Sequence, residues 1–236
     1  MEPKLLTIGL GVACLLLGEN EATRKVQVSK TEKLDFPAGG TLRVQNSTGE
    51  LTIEGWDQPG VEITTTKSSR DVNTSQERER ATQELDRVKI STKRNGDELD
   101  VTTEFPQHRA FPFVTPLDNV TNFDLEYRIK VPRNAKLIVK HEAGDVHIDD
   151  VAGNIQVKVV QGLIALRLAG ETPRSIDAKS KLGSVNSDFP GNESRHPWPF
   201  GHAFAEGTAA NSQNLDLKIG FGDIIILKAH EPVSRQ

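Results

Sequence analysis

The stretch Leu137-Ile-Val-Lys-His-Glu-Ala-Gly144-Asp-Val-His-Ile148 decides the fold, because its pattern recurs four more times along the chain. Apolar and polar residues alternate, a polar turn with glycine follows, and the alternation then resumes. The other copies begin at Leu42, Ile155, Ile176 and Leu215. In every copy the first apolar residue lies seven positions before the glycine. Alternation with period two is typical of β-strands, and a repeat of about twenty residues indicates strands that stack. The sequence therefore predicts an all-β, single-domain β-solenoid.

Two local signals add detail to this prediction. Thr74-Ser-Gln-Glu77 matches a capping box, which predicts one short amphipathic helix near residues 74–87. A solvated charged loop is the alternative for that stretch. Asn95-Gly96 lies between two alternating runs, which predicts a β-hairpin with a type I′ turn and two consecutive positive φ angles.

The first residues have the pattern of an export signal. Lys4 precedes an apolar run from Leu5 to Leu17, and a polar stretch then ends at the small residue Ala22. A run of about thirteen residues is too short to span a bilayer as a helix. We expect residues 1–22 to be a signal peptide and residues 23–236 to form the mature domain, with no integral membrane span.

The expected location is therefore the periplasm, the cell surface or the medium. Cys14 leaves an alternative open, because small residues precede it as in a lipoprotein signal. A lipid anchor would then start the mature chain at Cys14. The other interpretation places Cys14 inside the apolar run, and its removal takes away the only cysteine of the chain. Stability would then come from stacking and burial rather than from a disulfide.

Composition bears on the partner. The chain has 29 Lys and Arg against 33 Asp and Glu, for a formal net charge of −4 at pH 7, and no concentrated basic block. Nucleic acid binding needs such a block, so nucleic acid is not the expected partner.

The sequence also resembles a known family. The turn Asn46-Ser-Thr-Gly49 before Leu51-Thr-Ile53, the run from Leu125 to Pro132, and the Gly-Asp pairs at 144–145 and 222–223 carry the likeness. Together they resemble the bacterial family named putative adhesin, over roughly residues 34–227. The resemblance implies a β-helix-like solenoid in an exported or envelope protein. It supplies no catalytic residues.

Polar constellations give no enzyme signature. Glu50, Asp145 and Asp223 follow turn glycines and would form a calcium-binding row, but Leu163 and Ser184 interrupt it. Scattered histidines are interpreted as exposed turn residues. A polysaccharide lyase or hydrolase is the alternative function, with candidate carboxylates Asp149, Asp150, Asp177 and Asp188. Nothing in their spacing selects a pair, so the sequence predicts a non-catalytic protein without metal or cofactor.

The aromatic residues are the best candidates for binding. The second irregular segment carries Trp198, Phe200 and Phe204, which we predict as ligand-binding residues for an envelope glycan or a surface protein. The alternative is that they fold back and cap the open end of the solenoid. The sequence leaves the ligand and the oligomeric state open.

Overall fold

The computed structural model describes residues 25–105, 123–169, 173–197, 200–207 and 213–229. These residues form one 14-stranded sheet and one helix, α1, at Ser75–Arg87. The predicted all-β class with one short helix is confirmed. The strands are β1 Lys25–Leu34, β2 Thr41–Thr48, β3 Glu50–Trp56, β4 Val61–Asp71, β5 Lys89–Asn95, β6 Glu98–Glu104, β7 Phe123–Pro132, β8 Lys136–Asp149, β9 Ile155–Ala169, β10 Ser175–Leu182, β11 Val185–Ser187, β12 Asn192–Pro197, β13 Phe200–Gly207 and β14 Asn214–Ala229.

The five copies of the repeat lie side by side as parallel strands in one register, with a local shift between Val44 and Thr48 of β2. The first copy forms β2 and β3, the second β8, the third β9, the fourth β10 and β11, and the fifth β14. Their first apolar residues are direct neighbours across the sheet, in the order Leu42, Leu137, Ile155, Leu215 and Ile176. The repeat seen in the sequence is therefore a repeat of pairing positions.

The order of the copies in space differs from the predicted solenoid. A solenoid that closes with its last copy would place β14 at the end of the stack. Instead β14 lies between β9 and β10 within one continuous sheet. The physical reason is the β12–β13 hairpin, which pairs antiparallel with one edge of β10. Because that edge is occupied, β14 pairs with the other edge of β10 and with β9.

Each copy bends at its glycine, and both halves bury the same side. In β8 the buried positions are 137, 139 and 141 before the bend, but 146 and 148 after it. The buried residues have odd numbers before the bend and even numbers after it. This shift by one residue lets both halves of the strand face the same core. Six apolar residues at these inward positions are each at most 1% exposed, namely Val139, Ile148, Val157, Ile164, Leu217 and Ile224.

The bend is built from a glycine ladder, defined as Gly49, Gly144, Gly162, Gly222 and Gly183 on neighbouring strands. All five have φ between 92° and 149°, a range that favours glycine. They also lie against one another. A Cβ on Gly162 would be 1.9 Å from the carbonyl oxygen of Gly144, and one on Gly222 would be 1.8 Å from that of Gly162. The strands approach this closely only because no side chain is present.

Helix α1 begins with the predicted capping box. The backbone N–H of Glu77 donates to Thr74 Oγ1 at 3.1 Å, and the N–H of Thr74 donates to the Glu77 carboxylate at 3.1 Å. At the other end, Lys67 Nζ on β4 donates to the carbonyl of Leu85 at 2.8 Å and to that of Val88 at 3.1 Å. These bonds satisfy carbonyls that a helix end leaves free, and they join the helix to the sheet.

The predicted hairpin is confirmed, but its predicted turn type is wrong. Strands β5 and β6 pair antiparallel, with Asn95 opposite Glu98 as the last pair. The two central residues are therefore Gly96 and Asp97, and of these only Gly96 has a positive φ, at 61°. A positive φ at the first central position alone is the type II′ pattern.

Candidate functional site

The predicted aromatic site is described only in part. Trp198 lies outside the described residues. Phe200 and Phe204 lie on β13, opposite Pro197 of β12 and Ala178 of β10 respectively, and their side chains also lie outside the description. Ligand binding by these three residues stays a prediction.

Three other aromatic residues of the irregular segments and their borders pack on the core. The rings of Phe105 and Phe123 stack with centroids 6.5 Å apart and an angle of 13° between their planes. Both pack against the hydrophobic core, and Phe189 is buried. These three residues therefore contribute to the core.

The carboxylates proposed for catalysis each contact a partner beside them. Asp149 pairs with Arg167 at 3.1 Å, Asp150 with Arg133 at 3.4 Å and Asp177 with Lys179 at 2.9 Å. Asp188 accepts a hydrogen bond from the backbone N–H of Lys228 at 3.0 Å. Asp149 thus links β8 to β9, whereas Asp177 contacts a lysine of its own strand, β10.

The row of acidic residues after the glycines is interrupted, as the sequence indicated. Leu163 lies between Asp145 and Asp223 across the sheet. The hydroxyl and backbone N–H of Ser184 both donate to Asp223 at 2.7 Å and hold the pKa of that carboxyl below its ordinary value. Among the described residues, no group of three or more His, Cys, Asp or Glu side chains is placed to hold a metal ion.

The interpretation of the histidines as exposed turn residues is wrong for His141. This residue occupies an inward position of β8 and is 1% exposed. Its Nδ1 lies 2.8 Å from Ser47 Oγ, and its Nε2 lies 3.1 Å from the carbonyl oxygen of Gly49. The carbonyl can only accept, so Nε2 carries the proton and Nδ1 accepts from the hydroxyl. Burial lowers the pKa of His141 to about 4, so the ring is neutral at neutral pH and supports the glycine ladder.

A cleft of about 490 Å³ lies on the outer side of the same bend. We call it the polar cleft. Its charged residues are Glu50, Asp124, Glu126 and Lys25. The cleft is also lined by three residues with hydroxyl groups, Thr48, Thr66 and Ser68, and by Phe123. Its size lies within the range of small-molecule sites.

Strand pairing explains why these residues meet. Strand β7 runs between β3 and β4 and places Glu126 directly beside Glu50 on one side and beside Thr66 on the other. Two residues earlier, Asp124 lies beside Ser68. Lys25 at the start of β1 reaches Asp124 at 3.8 Å. The lining of the polar cleft therefore carries three carboxylates against one amine, and Arg128 of the same strand pairs with Glu126 at 2.5 Å.

Sequence reasoning missed this cleft. It singled out Glu50, but as part of a row along the glycines and not with Asp124 and Glu126. The latter two lie in a segment more than 70 positions further along the chain. No local spacing connects the two segments, because only the pairing of β3 with β7 brings them together.

Comparisons with known proteins give distant likenesses only. No family model and no curated protein matches the sequence. Among solved structures, the chain is similar to a "putative cell adhesion protein" from Clostridium sporogenes, with a TM-score of 0.48, 14% identity, and coverage of 86% of this chain and 100% of that one. A "putative adhesin" from Parabacteroides merdae has a TM-score of 0.25 and 11% identity, covering 84% of this chain and 80% of that one. A "putative lipid binding protein" from Parabacteroides distasonis has a TM-score of 0.24 and 11% identity, covering 86% and 97%.

Two of these names agree with the adhesin resemblance of the sequence. Likenesses at this level carry no assignment of function. Within the ranges that the structure describes, no helix has the length and apolar character needed to cross a membrane.

Proposed function

We propose that the protein is an exported, non-catalytic envelope or surface protein that binds an uncharged glycan in the polar cleft. The observation that carries this proposal is the convergence of carboxylates, hydroxyls and a ring on one side of the bend. The scaffold is a solenoid-like stack of bent parallel strands, supported by the shared register of the five copies.

The chemistry of the cleft suits sugar hydroxyl groups. Carboxylates of Glu50 and Asp124 accept hydrogen bonds from hydroxyls, and the Lys25 amine donates to them. The partly buried ring of Phe123, which stacks on Phe105, adds apolar surface at the cleft for the carbon face of a sugar. Three carboxylates against one amine disfavour an anionic ligand, so the glycan is uncharged.

The relation of Glu50 to Glu126 favours binding over hydrolysis. A glycosidase places two carboxyl groups on either side of the scissile bond. Here the two glutamates are direct neighbours on adjacent parallel strands, so they belong to one wall of the cleft. This arrangement supports the non-catalytic proposal against the carbohydrate-active alternative.

We expect Glu50→Gln to weaken the binding of neutral oligosaccharides by about tenfold or more, because a charge-assisted hydrogen bond to a sugar hydroxyl becomes an ordinary one. Isothermal titration calorimetry with cello-, malto-, xylo- and chito-oligosaccharides measures the effect. Glu142→Gln is the matched control, because Glu142 is also exposed but lies outside the cleft. The control should bind as the wild type does.

Two results would contradict this proposal. If the wild type binds none of these neutral oligosaccharides, or if both variants weaken binding equally, the cleft is not the glycan site. Shortened or unsaturated sugars after long incubation, seen by mass spectrometry, would establish the carbohydrate-active alternative instead.

The expected export signal leads to a separate prediction about the N-terminus of the mature protein. N-terminal sequencing of protein recovered from the periplasm or the medium should begin near Thr23, because the sequence predicts cleavage after Ala22. A mature chain that starts at an acylated Cys14 would show that the protein is a lipoprotein. An intact Met1 in cytoplasmic protein would refute both expectations.

A further inference from the structure

A row of lysines crosses the outer face of the stacked strands. Lys140 on β8 is the direct neighbour of Lys158 on β9, which is followed by Lys218 on β14 and Lys179 on β10. We call these four residues the lysine row. Neighbouring strands are about 4.8 Å apart, so the row is about 14 Å long. Like charges at this spacing repel one another, and the stack holds them together.

The two halves of the lysine row differ in their partners. Lys218 pairs with Asp216 at 2.7 Å, and Lys179 pairs with Asp177 at 2.9 Å. Lys140 and Lys158 are exposed and have no ion pair within the described part of the chain. The positions beside them, where the other two strands carry aspartates, hold Ile138 and Gln156. Positive charge is therefore left uncompensated over β8 and β9.

Exposed apolar side chains lie on the bend side of this row. Val160, Leu182 and Phe221 are 49%, 39% and 55% exposed. Phe221 and Leu182 are direct neighbours on β14 and β10. Val160 follows Lys158 by two positions on β9, where Gly220 of the next strand adds no side chain. We call these three residues the apolar shelf. Phe221 and Leu182 lie one register position closer to the bend than Val160, because Phe221 pairs with Gln161 of β9.

We propose that this face binds a linear acidic polysaccharide, with its carboxylates on the lysine row and its sugar rings against the apolar shelf. Charge complementarity supports this. Together with Lys181, the face carries five lysines against the carboxylates of Asp177, Asp216 and Glu142, on a chain whose formal net charge is −4. The uncompensated Lys140 and Lys158 lie one strand spacing apart, about 4.8 Å, so a polymer with closely spaced carboxylates can meet both. The proposal is independent of the polar cleft.

The aspartates beside the row favour a single polymer chain over an anionic membrane. Asp216 and Asp177 lie two positions before Lys218 and Lys179 on the same strands and point from the same face. A flat anionic bilayer would approach these carboxylates as closely as it approaches the lysines. A single chain can place its carboxylates on the uncompensated Lys140 and Lys158 and turn its hydroxyl groups towards Asp216 and Asp177, which accept hydrogen bonds.

The position of each lysine within its copy of the repeat predicts this row, although the overall composition does not. The lysine stands four positions before the ladder glycine in four of the five copies, whereas the first copy has Gln45 there. Counting basic residues along the chain shows no block, because the four lysines are spread over 79 residues. They become a cluster only when the copies are aligned.

The test compares two double variants that lose the same charge. In Lys140→Gln/Lys158→Gln the uncompensated half of the row is removed, and no carboxylate loses its partner. In Lys89→Gln/Lys93→Gln two exposed lysines of β5 are removed, and β6 and β2 separate that strand from β8. Affinity for polygalacturonate, with dextran as the neutral polymer, is measured by calorimetry at low and high ionic strength.

We expect the row variant to bind polygalacturonate about tenfold more weakly, or about 1.4 kcal/mol, and the β5 variant to bind as the wild type does. Salt should weaken the wild type more than the row variant. No binding by the wild type at low ionic strength, or equal loss in both variants, overturns the proposal. Row-dependent binding to phosphatidylglycerol vesicles in preference to polygalacturonate also overturns it, in favour of a membrane surface. Glu50→Gln should leave this binding unchanged, which separates it from the cleft.

Discussion

Replacement of Gly162 by alanine is expected to destabilise the fold by about 3 kcal/mol or more, a large part of the total stability of a domain. Gly162 has a φ of 138°, which an L-residue rarely adopts. Its new Cβ would also lie 1.9 Å from the carbonyl oxygen of Gly144. Both atoms belong to backbones held in register on each side, so neither can move aside without breaking pairs of β8 with β9.

Gly96→Ala is the matched control for this substitution. Gly96 also has a positive φ, at 61°, but a Cβ there would meet nothing within 4 Å. Its cost should be about 1 kcal/mol, the conformational cost alone. Urea unfolding followed by circular dichroism compares the two. Equal costs would show that the close approach of the strands adds nothing and that the glycine ladder is only a conformational requirement.

The register of the strands was predictable from the sequence because of the glycine ladder, whereas the order of the strands was not. Gly144, Gly162 and Gly222 recur at a fixed distance from the first apolar residue because backbone contacts at the bend require it. The sequence therefore predicted the register. The order of the strands was not predictable, because each copy offers the same pairing edges. A contact that no repeat encodes, between β10 and the hairpin strand β13, decides where β14 lies.

The candidate sites divide in the same way. The lysine row could have been found from the sequence, because its members share one repeat position. The polar cleft could not, since Glu126 comes from a strand outside the copies and meets Glu50 only through tertiary pairing. His141 was misjudged for a third reason. An inward position is normally apolar, and a histidine there is buried only because Ser47 and the Gly49 carbonyl satisfy both ring nitrogens.

That buried histidine should make the protein lose stability as the pH falls from about 6.5 to about 4. In the unfolded chain His141 takes up a proton below its ordinary pKa of 6.5, whereas burial lowers its pKa in the folded protein to about 4. Between these values only the unfolded state binds the proton, so acid favours unfolding. The contribution is fully present above pH 6.5. Its loss across this range is about 3 kcal/mol.

The measurement is the free energy of unfolding in urea at a series of pH values, for the wild type, His141→Gln and His147→Gln. The amide of His141→Gln can still donate to the Gly49 carbonyl, but it does not titrate. Its stability curve should therefore be flatter than that of the wild type between pH 6.5 and about 4. His147 lies on the same strand at an outward position, so His147→Gln should keep the full acid loss. Parallel curves for the wild type and His141→Gln would show that protonation of His141 does not limit stability. A loss confined to pH values around and below 3.8 would instead belong to carboxylates such as Asp57 and Asp223, whose pKa values are held low by Arg133 and Ser184.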